Sequence, residues 1–539
     1  MRDARMDSLT RSERRLVWVA CLVPFASSLA LILWYWPGSL PQDNASGVWT
    51  ALAQDLARGI FYRPTADAFG FGGTRYMPLF FALHAGLIRL SVDPVTAGVA
   101  LSLASAALFD LALLLAMREL DVEWTLAIPL SILTHATVAF QLLTIQVKGD
   151  FLAAALNMWG ICLGLRYARR PSAPLLVACA LTFLGAFVTK FTTVGGAVAV
   201  CAWLHWRGRP RAALALAGAL GGLALASLAV IDWASDGRAL ASFAAAAAGG
   251  MRPAYALGAP LWFLRSAAQD PVSLIVLAGA SVYAVARLRE GNAGFAPAYF
   301  VLAAVFTLLI FTSPGTDTNH FLDVLGAAAL LLGDQLTRQP RRARLALGVP
   351  AVVAGLTAAS WLPGMISVRS VIEKDGWPQR REVSDIAARL GPAAHDLLSE
   401  NPIVPVMLGQ RPRVLDPFNL RLLARKRPEI ASEFRRRMDA DSFGAVVLVD
   451  FSGADAFHTA ATLQACTASD GARCYGDVVF PPGFLRLLER DYVLSFVERP
   501  FVVYTPRPGR AGQGIVRGRA DPPGHGGAPA RAARTRPGA

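Results

Sequence analysis

The sequence predicts a mainly α-helical polytopic membrane bundle of about 11 spans, followed by a small α/β domain on the outer side. Three observations predict it. Apolar residues make up 54% of the 539, and charged residues only 17%, where a soluble chain carries about 25%. The deficit is confined to one part of the chain. Apolar blocks fill Arg15 to Pro363, and the remainder reads as ordinary globular sequence. Finally, the arginines gather in the short loops between apolar blocks, which is what membrane topology demands.

The cleanest apolar blocks are Leu16 to Trp36 and Ala212 to Ile231, each close to the ~20 residues a spanning helix needs. The basic loops are Arg2 to Arg15, Met117 to Glu119, Arg166 to Arg170, Arg207 to Arg211, Arg287 to Glu290 and Arg338 to Arg344. With all of them in the cytoplasm, the spans run 15–36, 95–117, 123–143, 151–167, 172–189, 191–206, 211–232, 272–287, 294–312, 320–336 and 344–363. The N-terminus is then inside and the C-terminus outside. The net charge of +14 becomes a topological signal, with seven further arginines after Tyr504, rather than a nucleic-acid footprint. Met1 to Arg15 is basic, but the apolar stretch after it is long and ends in Trp34-Tyr35-Trp36. That is an interfacial anchor and not a signal-peptide cleavage site.

Met77 to Val92 does not fit the count. It is short, holds His84 and Arg89, and as a span would invert every later basic loop. It reads as a helix in the outer interface. The expected organisation is therefore a cytoplasmic N-terminus at 1–14 and a membrane domain at 15–363 whose first outer loop is 37–94. An outer α/β domain at 364–505 and a disordered basic tail at 506–539 complete it.

In the outer domain, Pro402 to Leu408 and Ala445 to Val449 read as short strands, Tyr492 to Tyr504 as a hairpin, and Leu420 to Met438 as helix. Cys466 and Cys474 form either a disulfide, which the outer side permits, or two free thiols. Cys21, Cys162, Cys179 and Cys201 fall within spans and read as packing residues. The tail lacks apolar periodicity; it is a solubilising end or a contact for anionic lipid head groups.

Charged residues at membrane depth are costly, so each asks for a reason. Asp43 opens the long first loop in Pro41-Gln42-Asp43-Asn44; Asp43 or Asn44 can instead cap an amphipathic helix from Ser46 to Arg58. Asp150 sits in the polar island Gln146-Val147-Lys148-Gly149-Asp150, where Lys148 is an available partner and a cap is the plainer reading. Ser313 to His320, with Asp323 one turn on, is dense in hydrogen-bonding groups. Gly70 to Pro78 carries Arg75 and Tyr76; an Arg there can grip a phosphate or snorkel. Lys190, in the Thr189-Lys190-Phe191 corner, is a second cation on that face. Asp110 and His135 read as structural. The sequence has neither a Gly-x-x-x-x-Gly-Lys-Ser/Thr phosphate loop nor a His-Glu-x-x-His zinc motif.

The order of these features resembles the GT-C membrane glycosyltransferases, whose branches include the protein O-mannosyltransferases and the lipid A aminoarabinose transferase. The matching features are the acidic opening of the first loop, Gly59-Ile60-Phe61-Tyr62, Tyr76-Met77-Pro78-Leu79-Phe80-Phe81, Lys148-Gly149-Asp150-Phe151-Leu152, Thr189-Lys190 and Asn319-His320-Phe321-Leu322-Asp323. Ser399-Glu400-Asn401-Pro402, Gly409-Gln410-Arg411-Pro412 and Leu415-Asp416-Pro417-Phe418 resemble the outer domain of bacterial members.

The resemblance implies a hexosyltransferase-type enzyme of the bacterial inner membrane. Its donor is a polyprenyl-phosphate sugar; its acceptor, a lipid, glycan or protein, approaches from outside. Membrane lipids are partners and nucleic acid is not. It implies Asp43 as the base of an inverting transfer, and Asp150 as a second acidic position that orients the acceptor or holds a divalent cation, the one cofactor in view. It implies Arg75, Tyr76, Lys148, Lys190, Asn319, His320 and Asp323 as substrate-binding. One departure is that many members pair Asp with Glu in the first loop, whereas Asn44 follows Asp43 here. Two other functions fit the composition: a transporter or flippase of lipid-linked saccharides, and a non-catalytic scaffold. The concentration of polar residues at one face and the absence of a clear internal repeat favour the enzyme.

Overall fold

The computed structural model describes residues 10–36, 40–247, 253–268, 270–290, 294–313, 316, 318–338, 368, 372, 377–439, 443–449, 480–481, 483–498 and 500–508. The expected span at 344–363, Cys466, Cys474 and the tail beyond 508 lie outside the described residues.

The chain enters through α1 (Arg11–Tyr35). A capping box starts it: Thr10 Oγ1 accepts from Glu13 N at 3.3 Å, and the Glu13 carboxylate accepts from Thr10 N at 2.8 Å. The first loop then folds into α2 (Asn44–Ala57) and α3 (Pro78–Arg89). The 12 residues of α3 extend about 18 Å, well short of the about 30 Å of a hydrocarbon core. Arg89 ties its end to α2 through Ala57 O and Leu56 O.

α4 (Pro94–Glu119) follows. The expected continuous span at 123–143 is instead broken into α5 (Trp124–Ser131), a 3₁₀ turn (Leu133–Ala136) and α6 (Val138–Thr144), with a bend of 83°. The restart has a visible cause. Thr137 Oγ1 caps α6 through Phe140 N, and the Asp270 carboxylate, distant in sequence, accepts from Val138 N at 2.9 Å. The remaining helices of this part are α7 (Asp150–Arg169), α8 (Ala173–Thr189), α9 (Gly195–Trp206), α10 (Pro210–Ala234), α11 (Arg238–Ala247), α12 (Pro253–Ala268), α13 (Pro271–Arg289), α14 (Phe295–Ile310) and α15 (Leu322–Arg338).

By length and composition, α1, α4, α7, α10 and α13 can each cross a membrane, and α5 with α6 makes a sixth if counted as one bent span. α10 leaves Leu214 73%, Leu225 70% and Trp233 82% exposed. So large an apolar surface is unfavourable in water and natural against lipid. The Asp110–His135 pair, 2.9 Å apart, sits beside Phe140 and Phe25, which agrees with its structural reading. Cys21, Cys162 and Cys179 are buried in the same core.

The C-terminal domain holds α16 (Arg380–Leu390), α17 (Ile403–Met407), α18 (Pro417–Lys426), α19 (Pro428–Asp439) and α20 (Phe484–Asp491). They pack around a four-stranded sheet of β1 (Leu397–Ser399), β2 (Ala445–Val449), β3 (Tyr492–Glu498) and β4 (Phe501–Pro506), ordered β1-β2-β4-β3. The β3–β4 hairpin and β2 match expectation. Pro402 to Leu408 does not, because it folds as α17. Asn401 Oδ1 accepts from Ile403 N at 3.0 Å and starts a helical turn, whose Ile and Val bury as well as strand residues would. The expected helix at 420–438 is split by Pro428, which starts α19.

This domain is fastened to the first loop. Phe71 N donates to Arg413 O at 2.7 Å and Leu415 N to Phe71 O at 2.9 Å, a parallel bridge between Phe71 and Val414. Gly70 lies against the Arg413 backbone, where any Cβ would collide. Beside the bridge, Arg63 forks onto Asp55 and donates to Pro412 O at 2.6 Å; the Arg63 and Asp55 side chains are only 2% and 3% exposed. Removing one partner of such a pair strands a buried charge. Arg63→Met is therefore expected to lower stability by about 3 kcal/mol, the low end for a broken buried pair, because Arg411 still stands 3.3 Å from Asp55. A thermal or denaturant unfolding curve of the full chain measures it.

Candidate functional site

The site assembles at one end of the bundle, where α2, the segment before α7, the corner after α8 and the 3₁₀ turn before α15 meet. Asp43 is the N-cap of α2, so the capping reading holds. Its Oδ1 accepts from Ser46 N at 2.8 Å and from Ser46 Oγ at 2.7 Å. Only one oxygen is used this way. Oδ2 lies 2.6 Å from Lys148 Nζ, and the Asp43 side chain stays 20% exposed.

Lys148, offered by sequence as a partner for Asp150, thus stands against Asp43. Asp150 opens α7 without capping it. Its Oδ1 accepts from Lys190 Nζ at 2.5 Å and from Asn319 Nδ2 at 2.8 Å. Two carboxylate–ammonium pairs therefore stand two residues apart along one segment. Beneath the second opens a cavity lined by Asp150, Lys190, Asn319, His320, Asp323 and Tyr299. Asp323 accepts from Asn157 Nδ2 at 3.2 Å, and that amide also reaches Tyr299 Oη at 3.4 Å.

Arg75 and Tyr76 approach from the first loop. The Arg75 guanidinium lies 5.1 Å from the Phe418 ring centroid, next to Asp416, which caps α18 through Asn419 N. Burial pushes the Asp416 carboxyl up, and the positive charge of Arg75 pulls the other way. Tyr76 stacks on Trp49 at 4.3 Å. Burial raises its phenol pKa; Arg75 lowers it, while Asp416, Asp43 and Asp150 raise it. Trp49 also packs against Phe80 and faces Gly149. His320 feels the charges of Lys190, Arg75 and Lys148. The structure thus brings all nine residues singled out by sequence into one neighbourhood.

A divalent cation does not fit this donor set. Each leading carboxylate already has an ammonium within 2.6 Å. Among the described residues, no group of three or more His, Cys, Asp or Glu could hold a metal.

Sequence reading missed Gln42, Trp49, Asn157, Tyr299 and Asn401. Gln42 stands next to Asp43, but its partners lie more than 100 residues away, and nothing local announces them.

The helical bundle, the long first loop and the C-terminal α/β domain make up a fold that solved glycosyltransferases share. The crystal structure of ArnT from Cupriavidus metallidurans bound to undecaprenyl phosphate matches with a TM-score of 0.55 at 14% identity, covering 91% of this chain and 98% of that one. The archaeal oligosaccharyltransferase AglB from Archaeoglobus fulgidus, in complex with an inhibitory peptide and a dolichol-phosphate, matches with a TM-score of 0.53 at 11% identity, covering 92% of this chain and 74% of that one. Both are GT-C glycosyltransferases, and this chain has their fold. No protein-family model matches the chain, and no curated protein does.

Proposed function

We propose that this chain is a membrane glycosyltransferase that moves a sugar, of the hexosyl type, from a polyprenyl phosphate to an acceptor hydroxyl outside an inner membrane. The observation that carries the reading is the pairing of Asp43 with Lys148 beside that of Asp150 with Lys190, at the mouth of a polar cavity in a GT-C fold. Both fold neighbours were solved with polyprenyl phosphates, undecaprenyl phosphate in one and dolichol phosphate in the other.

The acceptor hydroxyl enters between Asp43 and Lys148. Asp43 Oδ2 takes its proton as the oxygen attacks the anomeric carbon. The bond from that carbon to the phosphate oxygen breaks on the opposite face, so the configuration inverts. The departing lipid phosphate carries the electron pair and gains charge. Lys148, Arg75 and Lys190 neutralise it. Asp150, held by Lys190 and Asn319, orients the acceptor; His320 and Asp323 line the space for the sugar. About 11 crossings put the N-terminus in the cytoplasm and the 364–505 domain outside.

The test is sugar release by purified protein from a panel of polyprenyl-phosphate sugars. Turnover with at least one donor is expected. No turnover with any donor, together with lipid-sugar movement across vesicles, would replace this reading with a flippase.

A further inference from the structure

We infer that Gln42 is a positioning residue that sets the Asp43 carboxylate against Lys148, and that the C-terminal domain grips the site through it. The inference rests on the reading of Asp43 as the base.

Gln42 is fully buried, and its four hydrogen-bonding groups all have partners. Its side-chain Nε2 donates to Ile145 O at 2.9 Å, and its Oε1 accepts from Val147 N at 3.0 Å. The amide thus grips the connector before α7 at two points, as a neighbouring strand would. Val147 immediately precedes Lys148, and Gln42 immediately precedes Asp43. The clamp therefore lies one residue from each member of the ion pair. On its other side, Gln42 N donates to Pro378 O at 3.2 Å, and Gln42 O accepts from Asn401 Nδ2 at 3.2 Å.

The second flank of Asp43 is held as well. Asn44 Nδ2 donates to Glu400 O at 2.7 Å, and Glu400 N in turn donates to Val447 O of β2 at 3.0 Å. A Glu at position 44 would have no proton to give that carbonyl. Close approach is possible because residue 47 is glycine; a Cβ there would lie 2.5 Å from Ile403 N. Asp43 is thus flanked by two residues tied to the C-terminal domain, Gln42 through its backbone and Asn44 through its side-chain amide.

The chemistry of Gln is specific to this task. A Glu could accept from Val147 N but not donate to Ile145 O, and a Met would fill the volume while leaving both buried backbone groups unpaired. A displacement of about 1 Å at a reacting pair costs on the order of 100-fold in rate.

The experiment is a double-mutant cycle on the full chain between Gln42→Met and Asp43→Asn, read by sugar release and by amide exchange over 145–148. Gln42→Met alone is expected to lower kcat about 10- to 100-fold with the donor KM within about twofold, and to speed exchange at Val147. On the Asp43→Asn background its further effect is expected to shrink to under about threefold, because a positioning residue acts through its partner. Additive losses would overturn the inference, as would faster exchange with unchanged kcat. Failure of the base reading is separately visible, as full turnover in Asp43→Asn alone, and takes the inference with it. Should Gln42→Met not fold, Asn401→Ala removes the bond that holds Gln42 O from the C-terminal domain. The same kcat loss and non-additivity are expected of it, and an unchanged kcat overturns the inference.

Discussion

Asp43→Asn is expected to lower turnover at least ~100-fold, the low end for loss of a general base, while leaving the protein folded. The two halves of that expectation have separate causes. Asn caps a helix about as well as Asp, and its Oδ1 can keep the bonds from Ser46 N and Ser46 Oγ. What it loses is the basic oxygen facing Lys148. Release rates from lipid-linked donors, set beside the unfolding midpoint of the same preparations, measure both. Unchanged turnover would move the base elsewhere, with Asp150 next in line.

Lys148→Met should reduce kcat by about 10²- to 10³-fold, comparable to losing one preorganised donor to a developing oxyanion. The Lys148 side chain is 9% exposed, and its ammonium faces Asp43 in the resting site. Once an acceptor separates the pair, that charge is free to meet the phosphate. A loss confined to KM would assign Lys148 to ground-state binding alone. A double variant with Asp43→Asn that is no slower than Asp43→Asn itself would reduce Lys148 to a holder of Asp43.

The cluster that makes up the candidate site was partly legible because polar groups inside apolar sequence are expensive, so their presence alone marks them. That logic found Asp43, Lys148, Asp150, Lys190, Asn319, His320 and Asp323 without any knowledge of which meets which. The pairing was not legible. Lys148 lies two residues from Asp150 and 105 from Asp43, yet it is paired with the latter. The roles of Gln42 and Asn401 were invisible for the same reason, since an amide in a polar loop is unremarkable until its partners are known. Fold class came from composition and from the placement of the arginines between apolar blocks. The misreadings were local. At Pro402 to Leu408, Val and Ile suit strand or buried helix equally, and Asn401 decides. The restart at Val138 is held by Asp270, which caps a helix distant in sequence.

The tethering of Gln42 and Asn44, the neighbours of Asp43, to Pro378, Glu400 and Asn401 bears on how the protein matures. Residues at the two ends of the chain must meet before the first loop holds its working shape. During synthesis the helices of the apolar part emerge first, while the Asp43 segment still lacks these supports. The Asp43–Lys148 arrangement can close only after the C-terminal domain has been made and has folded against it. Premature termination anywhere before Pro378 should thus leave an inserted but idle protein. On the proposed function, the nascent chain is silent toward lipid-linked sugars until that domain has folded.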